Sequence, residues 1–397
     1  MSEPVVDREL KSLIEDFDHH SPEYVRRYRD VFEYVHALPG QALRAKRYNG
    51  FWILTGYHAL QEMQRDQGTF SNKQMTIPDS TAPYFIPANE DPPDHIEYRR
   101  VIARSFAPAA ISQRLKRIQE INDSLFAAVA GKDEFDVVLD IAQPLTGRLT
   151  MEILGLDPEA FNEYAEPIHN ATFDHGTYEE RIQGFLGLLA RVKQDVAEKR
   201  RNPTGLIGDL TQTDFRGRKF TDAEIEAMVL NLLTGGLGTT QGFVGSVAVY
   251  LARNPAQRQL LIDEPKLLDT TGLDELLRYL APVQTMAKRA TRDYEIDGIH
   301  IKQGEMVLLA YGGANLDAQV FENPLQVNLR RQINPIMTFG NGPHRCLGSH
   351  MAKAISRAAL HKLLEVVPNY RLIEERIEAA HSIAHIMGYR SVPVRRH

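Results

Sequence analysis

The chain contains a single cysteine, Cys346, in the stretch FGNGPHRCLG, residues 339–348. A thiol framed by glycines, a proline and a histidine is an inert buried residue, a nucleophile or a metal ligand. A nucleophile needs a base, and His344, only two residues away, is poorly placed to reach the sulfur. A zinc centre built from His344, Cys346 and His350 lacks a fourth ligand and starts from one thiolate at a helix start, which is poor tetrahedral geometry. Downstream, Leu347, Met351, Ile355, Ala359 and Leu363 form an i, i+4 stripe that predicts a helix packed on the core. That helix places Cys346 in its first turn, where free N–H groups and the dipole favour a thiolate. Gly340, Gly342 and Pro343 form a tight loop able to turn more N–H groups toward sulfur. A thiolate held this way suits a permanent metal ligand.

A second unusual stretch is FTDAEIEAMVLNLLTGGLGTTQGFVGSVAVYLARNP, starting at Phe220. Thr221 and Glu224 spell a capping box, and Phe220 and Ile225 occupy the staple positions. The pattern predicts one helix to Asn254-Pro255, about 33 residues or about 50 Å long, crossing the protein centre. Gly235, Gly236, Gly238 and Gly242 interrupt it, each at a cost of about 1 kcal/mol relative to alanine. Close helix packing accounts for them, and so does a bulky group lying on bare backbone with Thr239 and Thr240 facing it.

These two stretches need a scaffold, and most of the chain reads as helix. AAISQRLKRIQEINDSLFAAVAG and YEERIQGFLGLLARVKQDVAEKRRN repeat apolar residues at three and four. Strand-like runs are few: GFWILTG, then YEIDGIHIKQGEMVLLAYG with its Asp-Gly turn. The expected fold is mainly α with minor β, one domain over residues 1–397 with a small β-rich region. With 397 residues, 43% hydrophobic and 25% charged, the chain is an ordinary globular one, and no linker-like stretch divides it. One cysteine excludes an internal disulfide and fits a reducing cytoplasm. A net charge of −6 argues against nucleic acid as partner. The acidic N-terminus has no apolar run of signal-peptide or anchor length, so a cytoplasmic location without a membrane anchor is expected.

FGNGPHRCLG matches the heme-binding signature of the cytochromes P450, F-G-x-G-x-H-x-C-x-G, at every fixed position, and the chain resembles that family. DELLRY resembles its E-x-x-R pair through Glu275 and Arg278, and VNLRR resembles the segment whose arginine completes that network, here Arg331 with Arg330 as the other choice. GGLGTT resembles the oxygen-binding motif at Gly236 and Thr239. DPPDHIEYRR resembles the segment that anchors heme propionates. These matches run in family order from about residue 85 to the C-terminus. The resemblance implies the cytochrome P450 fold, heme b as cofactor, and Cys346 as axial ligand to iron, within a loop that includes Phe339 and Gly340. His95, Arg99, Arg289 and His344 would pair with the propionates. Glu275, Arg278 and Arg331 would form a structural ion-pair network.

The resemblance further implies a monooxygenase that oxidises a small hydrophobic substrate with O2. A terpenoid, steroid or aromatic compound is expected, and the loop MTIPDSTAPYFIPANEDPP resembles the camphor-hydroxylating branch at FIP and DPP. Pocket residues by position are Tyr84, Phe85, Thr234, Val283, Thr285, His385 and Ile386. The chain has no electron-supplying domain of its own, so a ferredoxin and its reductase are the expected partners of a monomer. Arg99, Arg100, Arg104, Arg345 and Lys353 would form the basic docking patch, with ordinary solvated charge as the other reading. One departure stands out: Gly238 occupies the position before Thr239 where the family usually has an acid that helps bring protons to oxygen. Two further readings therefore stay open, a heme-thiolate enzyme with peroxide-driven, coupling or rearrangement chemistry, and a non-catalytic heme protein that binds a ligand.

Overall fold

The computed structural model describes residues 7–78, 84–172, 177–332, 335–381 and 386–396. Helices dominate, each started by local chemistry. The helices that bear on the site are α1 (Pro22–His36), α2 (Asp94–Ala103), α3 (Pro108–Val129), α4 (Phe161–Thr172), α5 (Tyr178–Arg201), α6 (Asp222–Gly236), α7 (Thr239–Arg253), α8 (Gly272–Leu280) and α9 (Ser349–Val366). The Ser21 hydroxyl accepts the Tyr24 N–H at the start of α1, where Pro22 has no N–H to leave unpaired. Thr221 and Glu224 close a reciprocal capping box at the start of α6.

The central apolar run forms two helices rather than one. Leu237 and Gly238 leave helical geometry, with φ/ψ of −97°/3° and −132°/−54°. The outer limits, from the Thr221 cap to Asn254, are those that the apolar pattern predicts. Around the break, Ile225, Met228, Val229, Leu233, Val244, Val247 and Leu251 are buried in the largest core cluster, which α3 and α9 also enter.

A five-stranded sheet flanks this helical body. Its strands are β1 (Ala42–Ala45), β2 (Phe51–Leu54), β3 (Phe70–Ser71), β4 (Thr285–Ala290) and β5 (Met306–Ala310), in the order β1-β2-β5-β4-β3. Only the β5–β2 pairing is parallel. Between β4 and β5, Asp297 and Gly298 take φ of 49° and 78° and turn a short hairpin, the geometry that an Asp-Gly pair favours. A later strand, β6 (Met387–Ser391), packs against α7. Among the described residues no helix is long and apolar enough to cross a membrane.

Candidate heme-thiolate site

The thiol sits in a loop that is locked before any ligand is considered. Gly340 and Gly342 take φ of 68° and 65°, a region that side chains avoid. At Gly342 a Cβ would also lie 2.6 Å from the Gln64 carbonyl oxygen. Gln64 Oε1 accepts the Asn341 N–H at 2.6 Å, and the Cys346 N–H closes onto Phe339 O at 2.8 Å. Cys346 itself lies ahead of α9, which begins at Ser349, and not in its first turn. The N–H groups aimed at sulfur come from Gly348 and Ser349, not from the upstream glycines. Burial pushes the Cys346 thiol up, while those two N–H groups and the charges of Arg99 and Arg345 oppose the shift. The residue keeps accessible surface and lines a cavity of about 360 Å³.

The cavity lies between the cysteine loop and the broken central helix. Gly235, Gly236, Thr239, Thr240 and Phe243 line it, and so do Leu277, Leu347, Met351 and Ile355. The Thr239 hydroxyl donates to Gly235 O at 3.2 Å. Gly238 is buried but does not line the cavity, and a Cβ built on it meets nothing within 4 Å. No aspartate or glutamate lines the cavity among the described residues.

One edge of the cavity is crowded with cationic and imidazole groups. The rings of His95 and His344 stack with centroids 3.7 Å apart. Both nitrogens of His95 and Nε2 of His344 are buried without a hydrogen-bond partner among the described residues. Burial, reinforced by neighbouring positive groups, lowers His95 to about 4 and His344 to about 2. Arg99 reaches the Arg345 carbonyl and lines the same edge. The fourth group is Lys288, 3% exposed, whose Nζ donates to Asn72 Oδ1 at 2.6 Å and Phe70 O at 3.3 Å.

Arg289 does not belong to this set. Successive strand residues point to opposite faces, and in β4 the register turns Lys288 inward and Arg289 out to Gln74 and the Gly304 carbonyl. Sequence reasoning passed over Lys288, although a lysine next to an arginine on a strand offers two opposite directions from which to choose.

Buried donors with no acceptor need one. A planar group that carries carboxylates at one edge, an iron within reach of sulfur and an apolar body fits these residues. Heme has those three features.

Behind the cavity, Glu275 and Arg278 are both 0% exposed and paired through two bonds of 2.8 Å. Arg331 Nε joins at 2.9 Å and the Asn328 N–H at 2.8 Å. Burial pushes Glu275 up, but these donors outweigh it and hold the carboxylate below its ordinary value. Arg330 turns away to Glu264. The basic residues near the thiol are not all free: Lys353 pairs with Asp274 at 2.6 Å and Arg100 with Glu97 at 2.6 Å.

Of the pocket residues expected by position, Val283 lines the cavity. Tyr84 is 46% exposed and donates to Asn89 O at 2.9 Å, while Phe85 packs on the main core. Thr234 lies off the face of α6 that carries Asn231, Leu232, Gly235 and Gly236, and Thr285 is buried in β4. Ile386 pairs with Val283 from behind, and His385 lies outside the described residues. Leu149, Ile153, Asn231, Leu232 and Met286 line the cavity in their place. A further residue without a sequence signal is His169 of α4, whose Nε2 reaches the Leu237 carbonyl at the helix break and lies 3.0 Å from the Gln241 amide.

The model for the family described as Cytochrome P450 matches residues 266–371. Cytochrome P450 CYP107DY1 of Priestia megaterium is 32% identical over 308 residues, 77% of this chain and 75% of that protein. A steroid C26-monooxygenase of Mycobacterium tuberculosis is 28% identical over 355 residues, covering 87% and 88%. Among solved structures, the post-tailoring hydroxylase HmtN involved in himastatin biosynthesis is similar at a TM-score of 0.79 and 28% identity, covering 90% of this chain and 93% of that one.

Proposed function

The chain belongs to the cytochrome P450 family of heme monooxygenases, and from that premise we propose that it binds heme b through Cys346 and inserts oxygen into a small hydrophobic substrate of terpenoid, steroid or aromatic type, with a ferredoxin and its reductase as electron donors. The observation that carries the reading is the accessible sulfur of Cys346 under two N–H donors, in a cavity whose far wall holds Thr239. Heme, when bound, supplies the oxygen-activating chemistry. The chain's own residues do the rest.

The Gly348 and Ser349 N–H groups favour the charged form of the sulfur, which is the form that ligates metal. His95, Arg99, Lys288 and His344 would hold the two carboxylates through charge-assisted hydrogen bonds. Thr239 uses its proton on Gly235 O, which leaves its oxygen lone pairs free to accept from a water in the cavity. Among the described residues no carboxylate lines the wall, and the proposed proton route to that hydroxyl is water or a substrate group. Leu149, Ile153, Leu232, Val283 and Met286 give an apolar surface, and Asn231 a polar handle for orientation. The likeness to a steroid C26-monooxygenase supports the steroid member of this substrate class.

The ferrous protein under carbon monoxide should give the red-shifted Soret band of thiolate ligation, and Cys346→Ser should lose it; persistence in the mutant sinks the ligand assignment. Arg104, which makes no ion pair among the described residues, and Arg100 beside it are proposed to steer the ferredoxin. Arg100→Glu with Arg104→Glu should slow reduction at low salt and leave heme content intact, because surface attraction is screened beyond about 8–10 Å near physiological ionic strength. Unchanged reduction kinetics would move the docking site elsewhere.

A further inference from the structure

A second cavity, of about 650 Å³, lies along the same face of α7 as the first. Thr239 and Phe243 line the first cavity, and Ser246, Tyr250 and Arg253 line the second. Steps of three and four residues keep all five on one side of the helix. The partition between the cavities is thin. Pro282 and Val283 face the first, and Met387 and Gly388 face the second. The Met387 N–H bonds to Pro282 O at 2.8 Å, and Val283 pairs with Ile386.

This second cavity carries one cation without a counter-charge. Arg253 is paired with Glu374 at 2.6 Å, but among the described residues Arg29 has no ion pair, and no aspartate or glutamate lines the space. The Arg29 guanidinium lies 4.2 Å from the Tyr279 ring centre and 5.2 Å from that of Tyr28. Its Nη2 donates to Tyr279 O at 3.2 Å, while its buried Nε has no hydrogen-bond partner among the described residues. The rings of Tyr250 and Tyr279 meet at 5.8 Å with 60° between their planes.

We infer that this cavity binds an aromatic carboxylate and that its occupant changes ligand affinity in the first cavity. A guanidinium binds a carboxylate in the plane of its fork, and the tyrosine faces accept a ring by offset or edge contact. The volume is within the range of ordinary small-molecule sites, about 300–1,000 Å³. Gly388 supplies the coupling: a Cβ there would lie 2.9 Å from Gly242 Cα, so the strand rests backbone to backbone on α7 three residues beyond Thr239. Whatever displaces Met387 and Gly388 therefore displaces both the Pro282–Val283 wall and the helix that presents Thr239. The coupling half of the inference rests on the heme reading of the first cavity; the binding half does not.

The test is calorimetric titration of the heme-loaded protein with 1-naphthoate, with the first cavity saturated by 4-phenylimidazole, an iron ligand that shifts the Soret band. Naphthoate should still bind at one site, and the neutral 1-naphthalenemethanol at least about tenfold more weakly, since the charged hydrogen bond is lost. Arg29→Leu should abolish binding without changing the Soret band or the melting temperature. Gln257→Glu, which adds a like charge on the wall and leaves Arg29 in place, should weaken binding too. Naphthoate should shift the azole affinity about 5- to 150-fold, and the azole should shift naphthoate affinity equally. Naphthoate affinity that keeps falling in proportion to azole concentration instead of levelling off, or binding unchanged in Arg29→Leu, overturns the site. Binding with no reciprocal shift overturns the coupling. An azole that leaves the Soret band unmoved counts against the heme reading alone, and the calorimetry of the azole-free protein with Arg29→Leu then decides the site.

Discussion

His169 Nε2, on α4, bonds to the carbonyl oxygen of Leu237 at the point where the central helix breaks. That oxygen would face the Gln241 N–H in an unbroken helix; the Leu237–Gly238 geometry instead presents it to a residue 68 positions earlier. The buried Gln241 amide contacts the same imidazole at 3.0 Å, and its Oε1 is otherwise unpartnered. Turning that amide over places an acceptor against the imidazole N–H.

Replacing His169 by Phe removes the donor and leaves a buried carbonyl, a loss of about 1–3 kcal/mol. Hydrogen exchange of the amides of residues 237–242 should accelerate relative to that of α9, and product formed per electron should fall with heme content unchanged. Equal exchange in mutant and parent would show that the break stands without His169.

Burial lowers both His169 and His36, so in acid the unfolded chain takes up a proton at each more readily than the folded one. The unfolded chain then binds more protons below the ordinary histidine value of about 6.5. Their contribution is therefore present above that pH and lost as pH falls through it, at up to about 1.4 kcal/mol per pH unit for each group. Denaturant midpoints measured from pH 7 to pH 5 should drop, and His169→Gln should flatten the slope.

Lys288→Met should speed heme transfer to a scavenging globin about 10- to 100-fold, the scale of one buried charged hydrogen bond, and Lys288→Arg should restore retention. Arg289→Ala should leave retention unchanged, because its side chain turns out to Gln74. Equal effects at the two positions would contradict the strand register.

Glu275→Gln strips the charge from a fully buried carboxylate shared by Arg278 and Arg331 and should destabilise the fold by about 3–5 kcal/mol. Arg330→Ala, which breaks only the exposed pair with Glu264, should leave the unfolding midpoint where it is. Comparing the two melts separates the two neighbouring arginines of VNLRR.

Gly238→Asp has room for its Cβ and a negative φ, so the backbone tolerates it. General acid help is worth about 10²–10⁴-fold where proton supply limits a step. The substitution should raise product per reducing equivalent and shrink the solvent isotope effect. Reduced substrate affinity with both quantities unmoved would instead mark Gly238 as a space-making residue.

What could be read from the chain follows how local each determinant is. The Thr221 cap, the α9 stripe from Met351 to Leu363 and the Asp297-Gly298 turn depend on neighbours within a few residues and are found where the pattern puts them, whereas the start of α9 lies two residues beyond Leu347. The helix break depends on His169 and Gln241, and no count of glycines shows which carbonyl is released. Lys288 and Arg289 are equally polar, and only the pairing of β4 with β5 decides which one enters the cavity. Position in a family pattern picks pocket residues without their direction, whereas the wall is built largely from helix faces, whose phase near a break is a tertiary property, as Thr234 on the wrong side of α6 shows.

The stacked imidazoles of His95 and His344 have a consequence for how long the chain survives in a cell. Among the described residues, both nitrogens of His95 and Nε2 of His344 have no hydrogen-bond partner, so a carboxylate at their edge supplies the acceptor they lack. A ligand that binds only the folded form at a thousand times its dissociation constant adds about 4 kcal/mol to stability. Chains made when porphyrin is scarce are thus the ones that open most often and reach proteases first. The proposed heme site therefore ties the lifetime of the protein to the supply of its cofactor, and its half-life in cells should lengthen when a porphyrin precursor is added.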